Sequence, residues 1–196
     1  ESSAPPAAPP PPPGSAAAPG APSPGGPADR TPGSPAATTP DQTATPPGTA
    51  TDPRTFFIAA ASAGAFEVAA SRLAQERSTH AEVKAFAERM IADHGKANEE
   101  LKALAATKNV ALTEELQPAH KADLDTLATL EGAAFDQAYA QRVGVQSHMN
   151  AVTLFQQASA EMQDAEVKAF AERMLPTLRE HLDQARKLNQ SVAARS

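Results

Sequence analysis

"AEVKAFAERM" stands at residues 81–90 and again, unchanged, at residues 165–174. In each copy the apolar residues fall three, one and three apart: Val83, Phe86, Ala87 and Met90, then Val167, Phe170, Ala171 and Met174. That spacing lines one face of a helix of about 3.6 residues per turn, so each copy predicts an amphipathic helix. One helix opening used twice implies two helix pairs in one architecture.

Extending the pattern outward gives four long helices. The first is predicted from about Arg54 to Ser78, with Asp52 as N-cap and Pro53 in the first helical position. The second runs from about His80 to Lys108, opened by Thr79 and Glu82 as an S/T-x-x-E capping box and closed by Asn109. A short helix covers about 118–130. The third long helix starts after Gly132 and reaches about Ala160, and the fourth covers about 164–193 behind Asp164. Links at 78–80 and 160–164 are short enough to demand antiparallel neighbours. The expected fold is all-α: an antiparallel four-helix bundle with a short extra helix between helices two and three.

Each predicted seam contains one ionisable residue. Helix one gives Phe57, Ala60, Gly64, Glu67, Ser71 and Ala74; helix two gives Val83, Phe86, Met90, His94, Ala97, Leu101 and Leu104. Helix three gives Ala138, Val145, His148, Val152 and Phe155, led by Phe135 and Tyr139. Helix four gives Val167, Phe170, Met174, Leu178, His181, Ala185 and Leu188. Glu67, His94, His148 and His181 all lie near mid-helix, at depths that differ by only about 6 Å at 1.5 Å per residue. They should therefore meet inside the bundle.

Buried Glu and His groups need mutual hydrogen bonds or a cation. Neutral imidazoles with a carboxylate suit a first-row transition ion, Zn, Fe, Mn, Ni or Cu. Glu67, His94, His148 and His181 are thus the candidate metal ligands, with no separate catalytic residue assigned. Asp93 and Glu180 adjoin two of the histidines but should point about 100° away, toward solvent. Tyr139, Gln146, Met149 and Asn98 lie nearer the seams as supporting or packing groups, while His80 and His120 are expected on the surface. Pro176, inside helix four, leaves the Glu172 carbonyl without its helical partner and favours a bend.

Composition divides the chain at about residue 53. Residues 1–53 hold 17 of the 19 prolines and six of the ten glycines, with no aromatic residue and no Leu, Ile or Val. Such a segment has nothing to offset the entropy of ordering, and is expected to be a disordered, partly polyproline II tether. Residues 54–196 supply the bundle domain. The net charge of −6 is spread evenly, without a basic block, which argues against nucleic-acid binding. The absence of cysteine removes disulfides, thiolate metal sites and thiol nucleophiles. No apolar run approaches the roughly 18 residues of a membrane span. A chain starting at Glu1 with a tether reads as processed, with a signal peptide or a lipid-bearing cysteine upstream of Glu1.

Three stretches, "SAGAFEVAASRLAQERSTHAEVKAFAERMIADHGKANEELKALA", "GAAFDQAYAQRVGVQSHMNAVTLF" and "VKAFAERMLPTLREHLDQA", resemble the bacterial domain of unknown function 4142 over about residues 53–192. The resemblance rests on Glu67–Val68, on Asp93–His94 with Asn98, on Phe135–Asp136 with Tyr139, and on Leu175–Pro176 with Leu178 and His181. It implies a ferritin-like bundle and an exported protein, periplasmic, outer-membrane-associated or secreted, and it implies no defined activity. Di-iron sites of ferritin-like proteins use Glu-x-x-His motifs. Here Ile91, Val145 and Leu178 stand three residues before the core histidines, which disfavours a di-iron oxidase.

Two functional readings stand. The first is an envelope protein holding one transition-metal ion in its core. The second is a non-enzymatic tethered module with a metal-free polar layer, whose outer faces engage an envelope partner or a second copy. A hydrolase is the weakest reading, since no Ser or Asp is paired with a His along the sequence.

Overall fold

The computed structural model describes residues 51–194, so most of the expected tether lies outside the described residues. Six α-helices follow in order: α1 Pro53–Arg77, α2 Ala81–Thr107, α3 Pro118–Ala128, α4 Gly132–Ala138, α5 His148–Glu161 and α6 Ala165–Ala193. A π-helical segment, Tyr139–Ser147, joins α4 directly to α5, so the three form one rod. Among the described residues there is no strand.

The helix ends follow local chemistry. Asp52 caps α1 by accepting from the Thr55 N–H at 2.9 Å, and Pro53 occupies the first turn, where its missing donor is harmless. Asp164 caps α6 by accepting from the Glu166 and Val167 N–H groups. Asn109 ends α2 in the left-handed region at φ 59°, while the Val110 and Asn109 N–H groups bond back to the Ala105 and Ala106 carbonyls. That pair of bonds is a Schellman closure. The capping box expected at Thr79 does not set the start of α2. The N-cap falls on His80, which makes no side-chain capping bond, and Ser78 Oγ instead accepts from the His80 N–H at 3.0 Å.

The core consists of two apolar clusters. Phe56, Phe57, Leu101, Phe155, Val167 and Phe170 belong to the first. Phe66, Val83, Met90, Phe135, Val143 and Leu188 belong to the second. Helix directions follow from the order in which each chain segment passes them. α1 and α6 run from the first cluster to the second, while α2 and the rod run the opposite way. α1 packs on α2 and α6 packs on the rod, with α1 also touching the rod and α2 touching α6. Each of these pairs of long helices is antiparallel, as expected, and Lys108 at the end of α2 reaches Asp164 at the start of α6 at 2.8 Å. Because α2 and the rod are parallel, residues 108–131 must cross the length of the bundle, and α3 forms that crossover along α1. The two identical decapeptides consequently begin at opposite ends of the molecule.

α3 is pinned through a side chain expected on the surface. His120 lies flat on the Phe66 ring with centroids 5.2 Å apart, and its Nδ1 shares a 2.7 Å hydrogen bond with Ser62 Oγ. Ser62 Oγ in turn accepts from the Gln117 N–H at 2.8 Å. The seam of α1 expected from the sequence is buried throughout, and Ser62 and Phe66 form a further stripe under α3. Covering on several sides explains why α1 is apolar. By length and composition it could cross a membrane, contrary to the sequence expectation, yet half of its apolar window is buried here.

The π segment changes the third seam. Val145 and Val152, expected in the core, are only partly buried, whereas Val143, Gly144, Ser147 and Ala151 face inward. Bonding from i to i+5 underwinds the helix, so the inward stripe drifts from the 3.6-residue pattern used to predict it. Gly144 sits where α6 crosses: a Cβ there would stand 3.1 Å from the Ala185 Cβ.

Candidate metal centre

The waist between the two clusters is polar. α1 places Glu67 between Ala60 and Ala70, and α2 places His94 between Met90 and Leu101. The rod places His148 just past the π segment, and α6 places His181 between Leu178 and Ala185. All four side chains are buried. The sequence-derived quartet therefore meets at one level.

Its internal order is specific. The carboxylate of Glu67 accepts from His94 Nδ1 at 3.0 Å and from Ser147 Oγ at 2.7 Å, and it lies 3.5 Å from His148 Nδ1. His148 Nδ1 has a closer acceptor, the Gly144 carbonyl at 2.8 Å, with the Val143 carbonyl at 3.1 Å. These carbonyls lie within the π segment, whose altered bonding turns them toward the ring. His181 Nε2 donates to Asp93 Oδ2 at 2.9 Å. Asp93, expected to face solvent, thus does so with only part of its side chain and also receives Arg89 Nε at 3.2 Å.

Each imidazole therefore has one nitrogen turned outward to an oxygen. The inward nitrogens are His94 Nε2 and His148 Nε2, which are 3.2 Å apart, and His181 Nδ1, which is buried without a hydrogen-bond partner. One ring nitrogen from each of the three histidines lies within 4.8 Å of the others. An outward N–H donor fixes the tautomer and leaves the inward nitrogen as a lone-pair donor, the arrangement around metal-ligating histidines.

Electrostatics divides the groups. Burial pushes the Glu67 carboxyl up, but the charges of His94 and His148 and the bonds from His94 and Ser147 outweigh it and hold it at about 2. Burial pushes His94 down, yet the Glu67 charge and hydrogen bond raise it above its ordinary value. Burial, followed by the charge of His94, lowers His181 to about 4 despite its bond to Asp93. The Glu67 carboxylate therefore holds the Nδ1–H of His94, beside a neutral His181.

The other expected neighbours divide. Tyr139 is buried and shares a 2.8 Å hydrogen bond with Ser71, and Asn98 packs against Gly64, leaving no room there for a Cβ. Gln146 and Met149 face solvent, displaced from the seam by the π segment. Sequence reading missed the Ser62–His120 pair, because its members are 58 positions apart on helices whose contact only the crossover creates. Ser62 is 3% exposed, so the pair fastens α3 and offers no accessible nucleophile.

A cavity of about 350 Å³ reaches this waist from the seam between α2 and α6. Glu67, His94 and His181 line its inner end, while His148 lies behind them. Ala60, Leu101, Phe155, Phe170 and Leu178 form its walls.

Fold and site together define a class: an all-α bundle with a buried three-imidazole, one-carboxylate layer at its waist. The chain belongs to the family described as a domain of unknown function (DUF4142), whose model matches residues 37–188. Among solved structures, it is similar to CopM in the Cu(II)-bound form, at 17% identity and TM-score 0.60, covering 71% of this chain and 96% of that one. It is also similar to a protein described as secreted, DUF305, from Streptomyces coelicolor, at 14% identity and TM-score 0.59, covering 74% of this chain and 96% of that one. These likenesses establish a shared fold. No curated protein matches the chain.

Proposed function

We propose that this is an extracytoplasmic metal-binding protein that holds one nitrogen-ligated transition ion on His94 Nε2, His148 Nε2 and His181 Nδ1. Glu67 and Asp93 orient the rings of His94 and His181, and residues 1–53 serve as a tether for the bundle. The observation that carries the reading is the convergence of three inward imidazole nitrogens, one of them buried without a partner. Metal–nitrogen bonds of about 2.0–2.1 Å place ligand nitrogens roughly 3.3–3.6 Å apart in tetrahedral or trigonal sites. The 3.2 Å separation of His94 and His148 is close to that. Three neutral imidazoles favour copper, zinc or nickel over the oxygen-seeking divalent ions. The copper named with one structural neighbour makes copper the first ion to test, and the neighbour described as secreted supports the location.

One observation favours a second reading, a metal-free polar layer. With one further proton, between His94 Nε2 and His148 Nε2, the Glu67 carboxylate, His94, His148 and the Gly144 carbonyl form an unbroken hydrogen-bonded chain that needs no ion. Plasma mass spectrometry on untagged protein purified without chelator separates the two. One ion per chain in the parent, lost in His94→Ala/His148→Ala, is the expected result. A parent that stays metal-free after exposure to copper, zinc, nickel, iron and manganese salts would leave the polar layer as the correct reading.

A further inference from the structure

The cavity beside the histidines is more than slack packing. Four helices wall it, α1, α2, α5 and α6, and the short side chains of Ala97 and Thr177 are among its lining. Its inner end meets His181, a residue 1% exposed whose Nδ1 has no partner. Three ligands leave a transition ion with at least one open position. His94 and His181 line the cavity and His148 does not, so an ion held by the three would have its open side toward the cavity.

We propose that the cavity is a binding site for a compact, largely apolar molecule bearing one neutral nitrogen or sulfur donor, which completes the coordination of the bound ion. The inference rests on the metal reading above. Three features set the ligand class. A volume of about 350 Å³ is near the lower end of small-molecule pockets, about 300–1,000 Å³, and suits one or two rings. The deep walls are alanine, leucine and phenylalanine, with the partly buried Asn98 among them, while Lys96, Glu100 and the exposed Thr177 stand toward the outside. The carboxyl of Glu67, the acceptor of His94 and Ser147, lines the inner end and places acceptor oxygens where an anionic donor would have to sit. At the mouth, Arg89 is held by Asp93 and by Glu180 at 2.9 Å, so its charge is already engaged.

Cobalt(II) serves as the probe ion, because its visible absorption responds to coordination number. The cobalt-loaded full chain is titrated with imidazole and with 4-phenylimidazole. The expected result is a spectral change with both, and binding of 4-phenylimidazole at least about tenfold tighter, because its phenyl ring leaves water for the apolar walls. Ala97→Phe on α2 and Ala63→Leu on α1 narrow the cavity from two sides. Both should keep one cobalt per chain and the parent circular dichroism, and both should lose the preference for the phenyl compound. If cobalt binds but neither imidazole alters its spectrum, or both bind equally, the ligand proposal is overturned and the metal reading survives. If no cobalt or other ion binds, both fall together. Should one variant fail to fold, the other still decides, since they lie on different helices.

Discussion

Removing the carboxylate at the waist tests the site's construction most directly. In Glu67→Ala, the His94 Nδ1–H and the Ser147 hydroxyl lose an acceptor at 3.0 and 2.7 Å, in a place where water has little access. Each orphaned donor costs about 1–3 kcal/mol, so the two together cost about 2–6 kcal/mol. The expected loss is about 4 kcal/mol, a large fraction of the roughly 5–15 kcal/mol that stabilises a domain. Glu67→Gln keeps the shape and one acceptor but turns an amide N–H toward a donor, and should lose about 2 kcal/mol. Urea unfolding at pH 7, followed by circular dichroism, measures both. Because Glu67 orients His94 without supplying a ligand in the proposed site, Glu67→Gln should also weaken metal binding about 10–100-fold while preserving stoichiometry. A Glu67→Ala protein within about 1 kcal/mol of the parent would refute the buried, hydrogen-bonded carboxylate. Unchanged metal affinity in Glu67→Gln would refute the positioning role.

Other consequences are measurable on the same protein. Gly144→Val should destabilise by about 1–3 kcal/mol, because its Cβ would press on Ala185 at 3.1 Å and the β-branch adds volume; urea midpoints would show it. Ser62→Ala should cost about 1–3 kcal/mol and speed amide exchange in α3 before the rest of the bundle, since it leaves the Gln117 N–H without its acceptor and His120 Nδ1 without its partner. Metal-free protein should lose stability in acid. The depressed His181 contributes stability above its ordinary 6.5, lost as pH falls toward about 4. Glu67 contributes above its ordinary 4.5, lost as pH falls toward about 2. Each shift corresponds to roughly 3 kcal/mol, while the raised His94 works oppositely, its contribution present below 6.5 and lost as pH rises through its folded value. Thermal melts between pH 2 and 8 check the net slope; equal stability across the acid range would contradict it.

The histidines were legible in the sequence because helical period is a local property. Three- and four-residue steps place His94 on the stripe of Met90 and Leu101, and mid-helix position supplies its level. Their division of labour was not legible. That Asp93 reaches His181 across 88 positions depends on how α2 and α6 are rotated against each other. The third seam was misread at Val145 and Val152 because a π segment has no simple residue signature. Its phase shift is settled by close packing of α6 on Gly144 and by the bond from His148 to the Gly144 carbonyl.

The sequence by itself determined the long helices, their caps at Asp52, Asn109 and Asp164, the antiparallel pairing across short links, and the buried quartet of Glu67, His94, His148 and His181. Spacing and capping act within a few residues, so they can be read one segment at a time. Only the tertiary structure decided that the duplicated decapeptides begin at opposite ends, that α3 crosses along α1, and that the imidazoles turn one nitrogen outward and one inward. Those outcomes depend on contacts between residues far apart in the chain, where the direction of a side chain is set by its neighbour and not by its own position in the sequence.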